Sequence, residues 1–477
     1  MTCRQGLLLL IGIAALLFTG VHGALASPNI VFISTDDQRA DELWGMPSLQ
    51  EKLVQQGTTF TNAYAPFPLC CPARASIMSG QYAHNHNVLS NGAPLGGYQA
   101  FNKSSTLATW LKSAGYQTAF VGKYINDYGL VKPVNVPPGW MDWHASVGGG
   151  DYFYSRLRES TGAAPVSNIY DGQYISDLYT DKAVDVINRR ITAQDPLFLW
   201  VSYYGPHEGT PAEADDPPLG TPAVAPRHRN AFAATPLRKE EYDPSFNEAD
   251  VSDKPNYVKN RMRLTANTQT WLKEVYQQRL ESLLAVDEGI ARIFEAISAS
   301  GEMSNTIFVF TSDNGYMLGE HRIPLGKTVP YNPSARIPLV IRGPGFPAGV
   351  QRSQPAGLHD LSPTFLEAAQ GTAGLPQDGI SLFAIAADPA AHAKRQLVVE
   401  AGPRSTDATA PWFYRGIRSA KWVYINYEET GEIEMYDLVK DPYQLKNVAA
   451  DPAYSTQRAA LARRLVALRE CAGIACH

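Results

Sequence analysis

The chain has 477 residues, of which 44% are hydrophobic and 18% are charged, so it can form a large buried core and does not have the composition of a disordered or fibrous protein. Its 46 acidic and 41 basic residues give a net charge of −5. This balance gives no electrostatic reason to expect a nucleic-acid or anionic-membrane partner. An anionic ligand would therefore have to be attracted by local basic side chains or by a metal ion.

The first 26 residues have the pattern of a secretory signal peptide. Arg4 precedes an apolar stretch at residues 7–18, and residues 24–26 (Ala-Leu-Ala) offer a small-residue cleavage site. The apolar stretch is short for a membrane span, and no later segment reaches about 18 uninterrupted apolar residues. A retained N-terminal anchor is the alternative. We predict a mature protein that is secreted, periplasmic or in a lysosome-type lumen, and that is not an integral membrane protein.

Four cysteines follow the predicted signal peptide. Cys471 and Cys476 lie close together near the C-terminus, where an oxidising compartment would permit a small disulfide. Cys70 and Cys71 are adjacent and cannot readily bridge to each other, because the geometry of such a bond is strained. This second pair needs another explanation.

Several apolar, β-branched segments end abruptly at polar residues. They are residues 29–35 before Asp36-Asp37, 117–121 before Gly122-Lys123, 197–204 before Gly205-Pro206-His207, and 306–312 before Asp313-Asn314-Gly315. Amphipathic stretches lie between them, for example at residues 106–114, 177–190 and 279–298. Nearly continuous apolar strands suit a sheet that is covered on both faces. Strands that alternate with helices predict a layered α/β fold with a mostly parallel sheet.

The polar residues that follow these strands are predicted to form one site, because ligands of open α/β sheets bind beyond the carboxyl ends of the strands. Each motif alone has a simpler reading. Asp36-Asp37 can cap a helix, and Asp313-Asn314-Gly315 can form a turn. Lys123 and His207 can be solvated surface residues. The conjunction of all four motifs favours a shared site.

The carboxylates and the amide of this set predict a metal site. Asp36, Asp37, Asp313 and Asn314 offer only oxygen donors, which select calcium or magnesium over zinc or copper. We expect Ca²⁺ rather than Mg²⁺, because the flexible coordination of calcium suits a mixed carboxylate and amide set.

Residues 68–76 (Pro-Leu-Cys-Cys-Pro-Ala-Arg-Ala-Ser) form the most specific segment of the chain. They place the Cys70 thiol near Arg74, and Pro72 can open a helix that runs through Met78. A helix N-terminus carries partial positive charge and free N–H groups, so it can hold a tetrahedral anion. The alternative is a pair of buried structural cysteines.

The segment from Cys70 to Gly80 resembles the Cys-x-Pro-x-Arg signature of the sulfatase family, within the alkaline-phosphatase superfamily, although Ala73 replaces the usual serine. The resemblance covers essentially the whole mature chain in the family's order, at residues 28–31 with the Asp pair, 122–123, 206–207, 312–315, 327, 337–345, 359–364, 378–382, 436–438 and 441–442. Within the family the chain is most similar to N-acetylglucosamine-6-sulfatases and related glycan sulfatases, on residues 69–72, 82–88, 122–126 and the Cys471/Cys476 tail.

The resemblance implies an alkaline-phosphatase-like α/β/α sandwich with a large, mixed, mostly parallel sheet. This catalytic domain is expected to span residues 27–395. A smaller α+β domain is expected at residues 396–477, with strands near 412–418 and 421–427, a short antiparallel sheet and a terminal helix at 456–469. Residues 208–260 are rich in proline, alanine and charge, and we interpret them as an insertion near the mouth of the site that shapes specificity.

The resemblance also implies a mechanism. A formylglycine-generating enzyme would oxidise Cys70 to formylglycine (3-oxoalanine), whose hydrate attacks the sulfur of a sulfate ester while the alcohol leaves; its second hydroxyl then expels sulfate. The side chain made from Cys70 would also be a metal ligand. Arg74 would hold the hydrate, and Lys123, His207 and Lys327 would bind sulfate oxygens, with Lys123 or His207 protonating the leaving oxygen.

Two departures from the family pattern bear on the substrate. Lys123 is followed by Tyr124-Ile125-Asn126, whereas many relatives have Trp-His after this lysine, and that histidine assists regeneration of the aldehyde. Asn126 cannot act as a base, so this role is unassigned. Asn126 is kept as a candidate substrate-binding residue. His321 is a second candidate substrate contact, with an exposed loop histidine as the alternative. Pro333 changes the loop after Tyr331, where relatives often carry an acidic residue, and this change is expected to alter substrate preference.

The resulting hypothesis is a sulfuric ester hydrolase that acts on a sulfated sugar or an aryl sulfate. One alternative is a phosphate or phosphonate ester hydrolase of the same superfamily. The other is a sulfated-glycan binding protein without catalysis, if Cys70 is never converted.

Overall fold

A computed structural model describes residues 27–131, 135–191, 195–211, 213–214, 216–237 and 243–477. The predicted signal peptide lies outside these residues. Within them, no helix is both long enough and apolar enough to cross a membrane.

Most strands of the described residues belong to one ten-stranded sheet, in the order β11-β2-β10-β9-β1-β8-β4-β5-β6-β7. Its strands are β1 (Asn29–Thr35), β2 (Thr58–Phe60), β4 (Gln117–Gly122), β5 (Asp142–Ser146), β6 (Tyr154–Ser160), β7 (Val166–Asp171), β8 (Leu197–Ser202), β9 (Thr306–Ser312), β10 (Leu339–Arg342) and β11 (Val350–Arg352). The two-residue strands β3 (Ala63–Tyr64) and β12 (Ala356–Gly357) form a separate parallel pair.

The centre of the large sheet is parallel, and its edges are mixed. Strands β9, β1, β8 and β4 lie side by side and run in the same direction, with β5 parallel to β4. Antiparallel strands β10 and β6–β7 extend the sheet at its two sides. The carboxyl ends of the four predicted strands therefore meet at one edge, as the sequence predicts.

The apolar residues of β1 explain why this strand lies at the centre. All seven of its residues are buried. Ile30 and Phe32 pack into one apolar layer, and Val31 and Ile33 pack into the layer on the opposite face, because successive side chains of a strand alternate between faces. The predicted burial of the sheet on both faces is confirmed.

Helices cover both faces of the sheet. They are α1 (Pro47–Leu49), α2 (Cys70–Ser79), α3 (Ala83–His86), α4 (Gly97–Ala100), α5 (Leu107–Ser113), α6 (Ile175–Arg190), α7 (Asn256–Lys259), α8 (Ala266–Ala299), α9 (Asn332–Ala335), α10 (Leu361–Ala368), α11 (Phe383–Ala387) and α12 (Ser455–Leu468). Short 3₁₀ or π turns occupy Ala40–Gly45, Gln50–Val54, Pro226–His228, Met303–Asn305, Leu358–Asp360, Pro452–Tyr454 and Gly473–Cys476. Helices α2, α5 and α10 share a layer with Phe32, and α6 and α8 share the other with Val31.

The long helix α8 begins earlier than its apolar pattern predicts. The sequence indicates a helix at residues 279–298, whereas the structure starts it at Ala266, where Thr265 caps the helix by accepting a hydrogen bond from the Thr268 N–H. Residues 266–271 have no fully buried side chain, so no apolar period marks this part. The cap and the polar first turns were not recognised from the sequence.

The last part of the chain forms a separate four-stranded antiparallel sheet, from β13 (Leu397–Ala401), β14 (Tyr414–Arg418), β15 (Trp422–Asn426) and β16 (Ile433–Asp437). Two of these strands and the terminal helix α12 lie within two residues of the predicted positions. A disulfide joins Cys471 to Cys476, whose Cα atoms are 5.2 Å apart, whereas Cys70 and Cys71 are free.

Candidate active site

The polar residues after β1, β4, β8 and β9 come together at one edge of the large sheet. With residues brought in by α2 and by the segment after β9 they form what we call the strand-tip cluster: Asp36, Asp37, Cys70, Arg74, Lys123, His207, Asp313, Asn314 and Lys327. All but Lys327 and His207 are almost completely buried. The predicted convergence is present in the structure.

The acidic part of the cluster is built on the ends of β1 and β9, which are neighbours in the sheet. Asp37 has a positive φ of 66°, a turn that aspartate adopts more readily than most residues, and its backbone N–H donates to Asp313 Oδ1 at 3.2 Å. Asn314 Nδ2 donates to Asp37 Oδ1 at 2.6 Å. The strand ends thus hold carboxylates close together that would otherwise repel each other.

Cys70 is the first residue of α2, so the helix begins two residues before Pro72, where the sequence predicts its start. The Cys70 side chain points into the cluster. Its sulfur lies 3.5 Å from Asp36 Oδ1, 2.9 Å from Lys327 Nζ and 3.7 Å from Lys123 Nζ. Cys71 points away and contacts the Asn91 carbonyl oxygen at 3.5 Å. Only the first cysteine of the pair is therefore placed to react.

Arg74 stands one turn after Cys70 on the same side of α2 and ties the cluster together. Its Nη2 lies 3.1 Å from Asp36 Oδ2, and its Nε donates to Asp313 Oδ2 at 2.9 Å. Its Nη1 donates to Ser202 Oγ at 2.6 Å and to the Lys123 carbonyl. The Ser202 hydroxyl lies at the end of β8 and fixes the guanidinium, and no sequence motif indicates this role.

The charges of the cluster shift the ionisation of its members. Burial opposes the charge on Asp36, but Lys123 and the other cations hold its pKa well below the usual range. Burial, with the nearby Asp36, raises the pKa of Asp313. Burial, again with Asp36, raises the pKa of the Cys70 thiol to about 12. The unmodified thiol is therefore protonated at neutral pH, and the cluster does not favour a thiolate nucleophile.

The oxygen donors fit a hard divalent cation. Asp36, Asp37 and Asp313 each offer an oxygen, and these oxygens lie within 4.8 Å of one another. Asn314 Oδ1 is buried and has no hydrogen-bond partner among the described residues, although its Nδ2 is fully engaged. A buried acceptor without a donor is unfavourable unless a ligand completes it. The donor set matches the one that Ca²⁺ or Mg²⁺ prefers.

A buried ion pair stabilises the turn at Asp37. Arg279 of α8 pairs with Glu42 at 2.7 Å, and its Nη2 donates to the Asp37 carbonyl oxygen at 2.5 Å. Its Nη1 donates to the carbonyl of Pro206, one residue before His207. One guanidinium thus fixes two loops of the cluster, a role that the sequence analysis missed.

His207 is the most exposed member of the cluster, with 21% of its side chain accessible. Its Nδ1 donates to the Glu208 carbonyl at 2.7 Å, which leaves Nε2 facing Asp37 Oδ2 at 3.8 Å. Burial of the ring and the charge of Lys123 lower its pKa. His207 therefore stands at the opening of the cluster, where it can meet a ligand.

The structure does not join Asn126 or His321 to the cluster. The Asn126 backbone N–H donates to Cys71 Sγ, and its buried side-chain oxygen has no partner in the described part of the chain. His321 is 1% exposed, its Nδ1 donates to Glu248 Oε2 at 2.6 Å, and its ring packs on Tyr331. The alternative of an exposed loop histidine is wrong, because Glu248, 73 residues away in sequence, buries the ring.

Comparison with known proteins places this arrangement in a family. Residues 28–372 match the sulfatase family profile, and residues 319–471 match the C-terminal region of N-sulphoglucosamine sulphohydrolase. An arylsulfatase of Volvox carteri is 35% identical, over 97% of this chain and 76% of its own length. This chain belongs to the sulfatase family.

Further relatives narrow the family resemblance to glycan sulfatases. The human N-acetylglucosamine-6-sulfatase is 29% identical, over 100% of this chain and 90% of its own. Among solved structures, BT4656 in complex with its substrate D-glucosamine-2-N,6-O-disulfate has a TM-score of 0.73 at 24% identity, covering 92% of this sulfatase and 97% of that chain. The structural likeness shows a shared fold, an alkaline-phosphatase-like sandwich with a small C-terminal sheet.

Proposed function

We propose that this sulfatase hydrolyses sulfate esters of sugar hydroxyls to the free alcohol and inorganic sulfate, and that the side chain made from Cys70 is the nucleophile. The observation that carries the proposal is the position of the Cys70 sulfur, within 3.7 Å of a carboxylate oxygen and of two ammonium groups. Relatives of 29% identity that are named N-acetylglucosamine-6-sulfatase support the sugar substrate and the 6-O position.

The basic side chains have the positions that a sulfate ester requires. Lys123 and Lys327 both approach the Cys70 sulfur, from the ends of separate segments. Lys327 is also paired with Asp37, and Lys123 with Asp36, so both ammonium groups are held in place before a substrate arrives. Fixed cations that face the developing charge of the transferring sulfuryl group lower the barrier without reorganisation. We assign Lys123 and Lys327 to sulfate binding.

Arg74 and His207 complete the assignment. Arg74 is always protonated and is held by two carboxylates, so it can orient a hydrated aldehyde at position 70 without changing charge. His207 presents Nε2 at the opening, where the alcohol would leave, and the negative charge of a bound sulfate would favour a proton on that nitrogen. His207 is therefore our candidate for the acid that protonates the leaving oxygen.

We further propose that Asp36, Asp37, Asp313 and Asn314 hold Ca²⁺, with Mg²⁺ second, and that Cys70 joins this set once it is converted. The ion would neutralise sulfate charge and lower the pKa of the nucleophilic hydroxyl. Conversion of Cys70 to the aldehyde is a two-electron oxidation that releases the sulfur, and a formylglycine-generating enzyme would catalyse it with an external oxidant. We also propose that the mature chain is secreted, periplasmic or in a lysosome-type lumen after cleavage of the signal peptide, with catalytic and C-terminal regions at residues 27–395 and 396–477.

The test is to express residues 27–477 with a formylglycine-generating enzyme and to assay matched sulfate and phosphate esters of an aryl alcohol and of N-acetylglucosamine. We expect turnover of the sulfates, and a mass spectrum that shows the aldehyde at position 70. Cys70→Ala should reduce kcat by about 10⁴-fold or more while the fold is retained. Cys71→Ser is the matched control, because this neighbouring thiol points away from the cluster.

Two outcomes would overturn the proposal. Faster hydrolysis of the phosphate ester than of the sulfate ester would favour a phosphate or phosphonate hydrolase. Absence of turnover in protein with fully converted Cys70 would reject hydrolysis altogether, and an unmodified thiol in protein from its natural source would favour a sulfated-glycan binding protein.

A further inference from the structure

Arg418, on β14 of the C-terminal sheet, is a buried cation that makes few polar contacts. Its exposure is 1%, and its guanidinium lies over the Tyr64 ring, 4.1 Å from the ring centroid. Its Nη2 donates to the side-chain oxygen of Asn332, a neutral group. Its Nε and Nη1 are buried and have no hydrogen-bond partner among the described residues. Two charged donors are therefore unsatisfied.

Other buried arginines of the protein show what is missing here. Arg74 and Arg279 are as buried as Arg418, and each contacts at least one carboxylate within about the length of a hydrogen bond. No carboxylate of the described residues pairs with Arg418. A buried charge without a counter-charge is strongly unfavourable, and such groups are ordinarily paired.

A second arginine near Arg418 increases the excess of positive charge. Arg336 is half-buried, donates through Nε to the Thr61 carbonyl at 2.9 Å, and forms no ion pair within the described chain. Burial lowers the pKa of the Arg418 guanidinium, and the charge of Arg336 lowers it further. Tyr64 contacts both arginines, because its ring lies against the Arg418 guanidinium and its backbone pairs with that of Arg336.

A cavity of about 390 Å³ opens beside Asn332, whose side chain contacts Arg418. The other charged residues of its wall are Arg336, Arg39, Asp41 and Asp243. Gln444, next to Asn332, is 1% exposed, accepts a hydrogen bond from the Asn332 backbone N–H at 2.8 Å, and has a buried Nε2 without a partner in the described residues. The cavity therefore gives a route of entry to Asn332 and Arg336, beside Arg418.

We propose that Arg418, Arg336 and Asn332 form a binding site for a small inorganic anion, chloride or sulfate, which enters through this cavity. We call it the Arg418 site. The anion supplies the counter-charge that the chain lacks and accepts hydrogen bonds from the guanidinium groups. Because Asn332 belongs to α9, after the large sheet, and Arg418 belongs to the C-terminal sheet, the bound anion joins the two regions and stabilises their contact.

The test measures the Tm of the full mature protein against anion concentration. Chloride and sulfate are titrated separately, at an ionic strength that is kept constant with the sodium salt of a bulky organic anion. We expect the Tm to rise by about 2 °C on approach to saturation with at least one of the two ions. The occupant is the ion whose Tm shift decreases in the Asn332→Asp variant described below, because sulfate also binds at the strand-tip cluster.

Asn332→Asp is the decisive variant, because it places a permanent carboxylate beside Arg418 in a side chain of the same shape. We expect a higher Tm in the absence of chloride and sulfate, loss of the response to chloride, and a sulfate response that is reduced to the part contributed by the strand-tip cluster. The variant leaves the strand-tip cluster intact, so binding of sulfate there is retained and cancels in the comparison. Asn260→Asp, an exposed site on a different loop, is the matched control and should respond as the wild type does.

Three results would overturn the proposal. They are an equal anion response in Asn332→Asp and wild type, an undiminished response in Arg418→Gln, and the absence beside Arg418 of both an anomalous peak in a bromide-soaked crystal and sulfate density in a sulfate-soaked crystal. Arg418→Gln and the bromide soak keep the proposal testable if Asn332→Asp does not fold.

Discussion

The strand-tip cluster and the surroundings of Glu434 are both buried and both charged, yet they satisfy their charges in different ways. Glu434, on β16, is fully buried and accepts hydrogen bonds from the hydroxyls of Tyr331, Tyr427 and Tyr436. Burial raises its pKa, and the three hydroxyls counteract the rise. In the strand-tip cluster, three carboxylates lie within 4.8 Å of one another and are offset by basic side chains.

This difference separates a structural polar group from a site that binds ligands. The acceptors of Glu434 are filled by groups of the chain itself, so nothing needs to be added. The strand-tip cluster leaves the buried oxygen of Asn314 without a donor in the described part of the chain and brings like charges together. The unsatisfied acceptor is unfavourable, and a cation bound among the carboxylates would complete it. Substitutions in the two regions should therefore affect different properties.

The largest effect is expected for Asp313→Ala. Loss of this carboxylate removes a predicted metal ligand and a partner of Arg74, so we expect the bound calcium to be lost and kcat/KM to fall by about 10³-fold or more. Elemental analysis and kinetics on an aryl sulfate measure the two effects. Asp250→Ala, at an exposed position, is the control. A variant that kept one calcium per chain would show that the ligand assignment is wrong.

The converse is expected for Glu434→Ala, which should reduce stability and leave metal content unchanged. Three buried tyrosine hydroxyls lose their acceptor, and we expect the free energy of unfolding to fall by about 3 kcal/mol, as measured by urea denaturation. Glu434→Gln retains an acceptor oxygen of the same shape and should lose only about 1 kcal/mol. Equal losses in the two variants would mean that the charge of the carboxylate, and not an acceptor of the same shape, decides stability here.

The parts of the strand-tip cluster that follow strands could be predicted from sequence, because strand direction and burial are local properties. The bounds of β1 and β9 agree with the apolar segments at residues 29–35 and 306–312. Their neighbouring positions in a parallel sheet bring Asp36 and Asp313 to one edge. The assignment of Cys70 as the reactive residue came from the family resemblance.

Contacts between residues that are distant in sequence could not be predicted in this way. Arg279 supports Asp37 across 242 residues, and in the sequence it is one polar residue within an amphipathic pattern. The burial of His321 depends on Glu248, which lies in a segment without periodicity. The unpaired charge of Arg418 likewise cannot be recognised before β14 is packed against Tyr64.

Arg279→Lys tests whether the support of Asp37 matters for catalysis. Lysine retains the charge but cannot bond Glu42 and the two loop carbonyls together, so the metal ligands should move by a fraction of an ångström. We expect kcat to fall by about 10²-fold, with a smaller change in KM. Arg292→Lys, at an exposed position of the same helix, is the control. Equal loss of kcat in both variants would reject a positioning role for Arg279.

The smallest predicted effect concerns the pH dependence of stability, and it lies outside both regions. His84 of α3 contacts Glu400 Oε2 at 2.8 Å and the Cys471 carbonyl at 3.0 Å. Burial of the ring lowers its pKa, but Glu400 more than offsets this and raises the pKa to about 9. Because the folded-state pKa is the higher one, His84 contributes its full stability below about pH 6.5 and loses this contribution as the pH rises through 9.

The comparison of His84→Gln with wild type isolates this contribution. Between pH 6.5 and 9 we expect the wild type to lose about 2 kcal/mol of unfolding free energy relative to the variant, which has no charge to lose at this position. His392→Gln is the control: burial lowers the pKa of His392, so it is neutral throughout this range and the variant should keep the wild-type slope. Parallel profiles for His84→Gln and wild type would show that the imidazolium–Glu400 pair does not stabilise the folded chain, and that the contact of α3 with the C-terminal tail depends on packing alone.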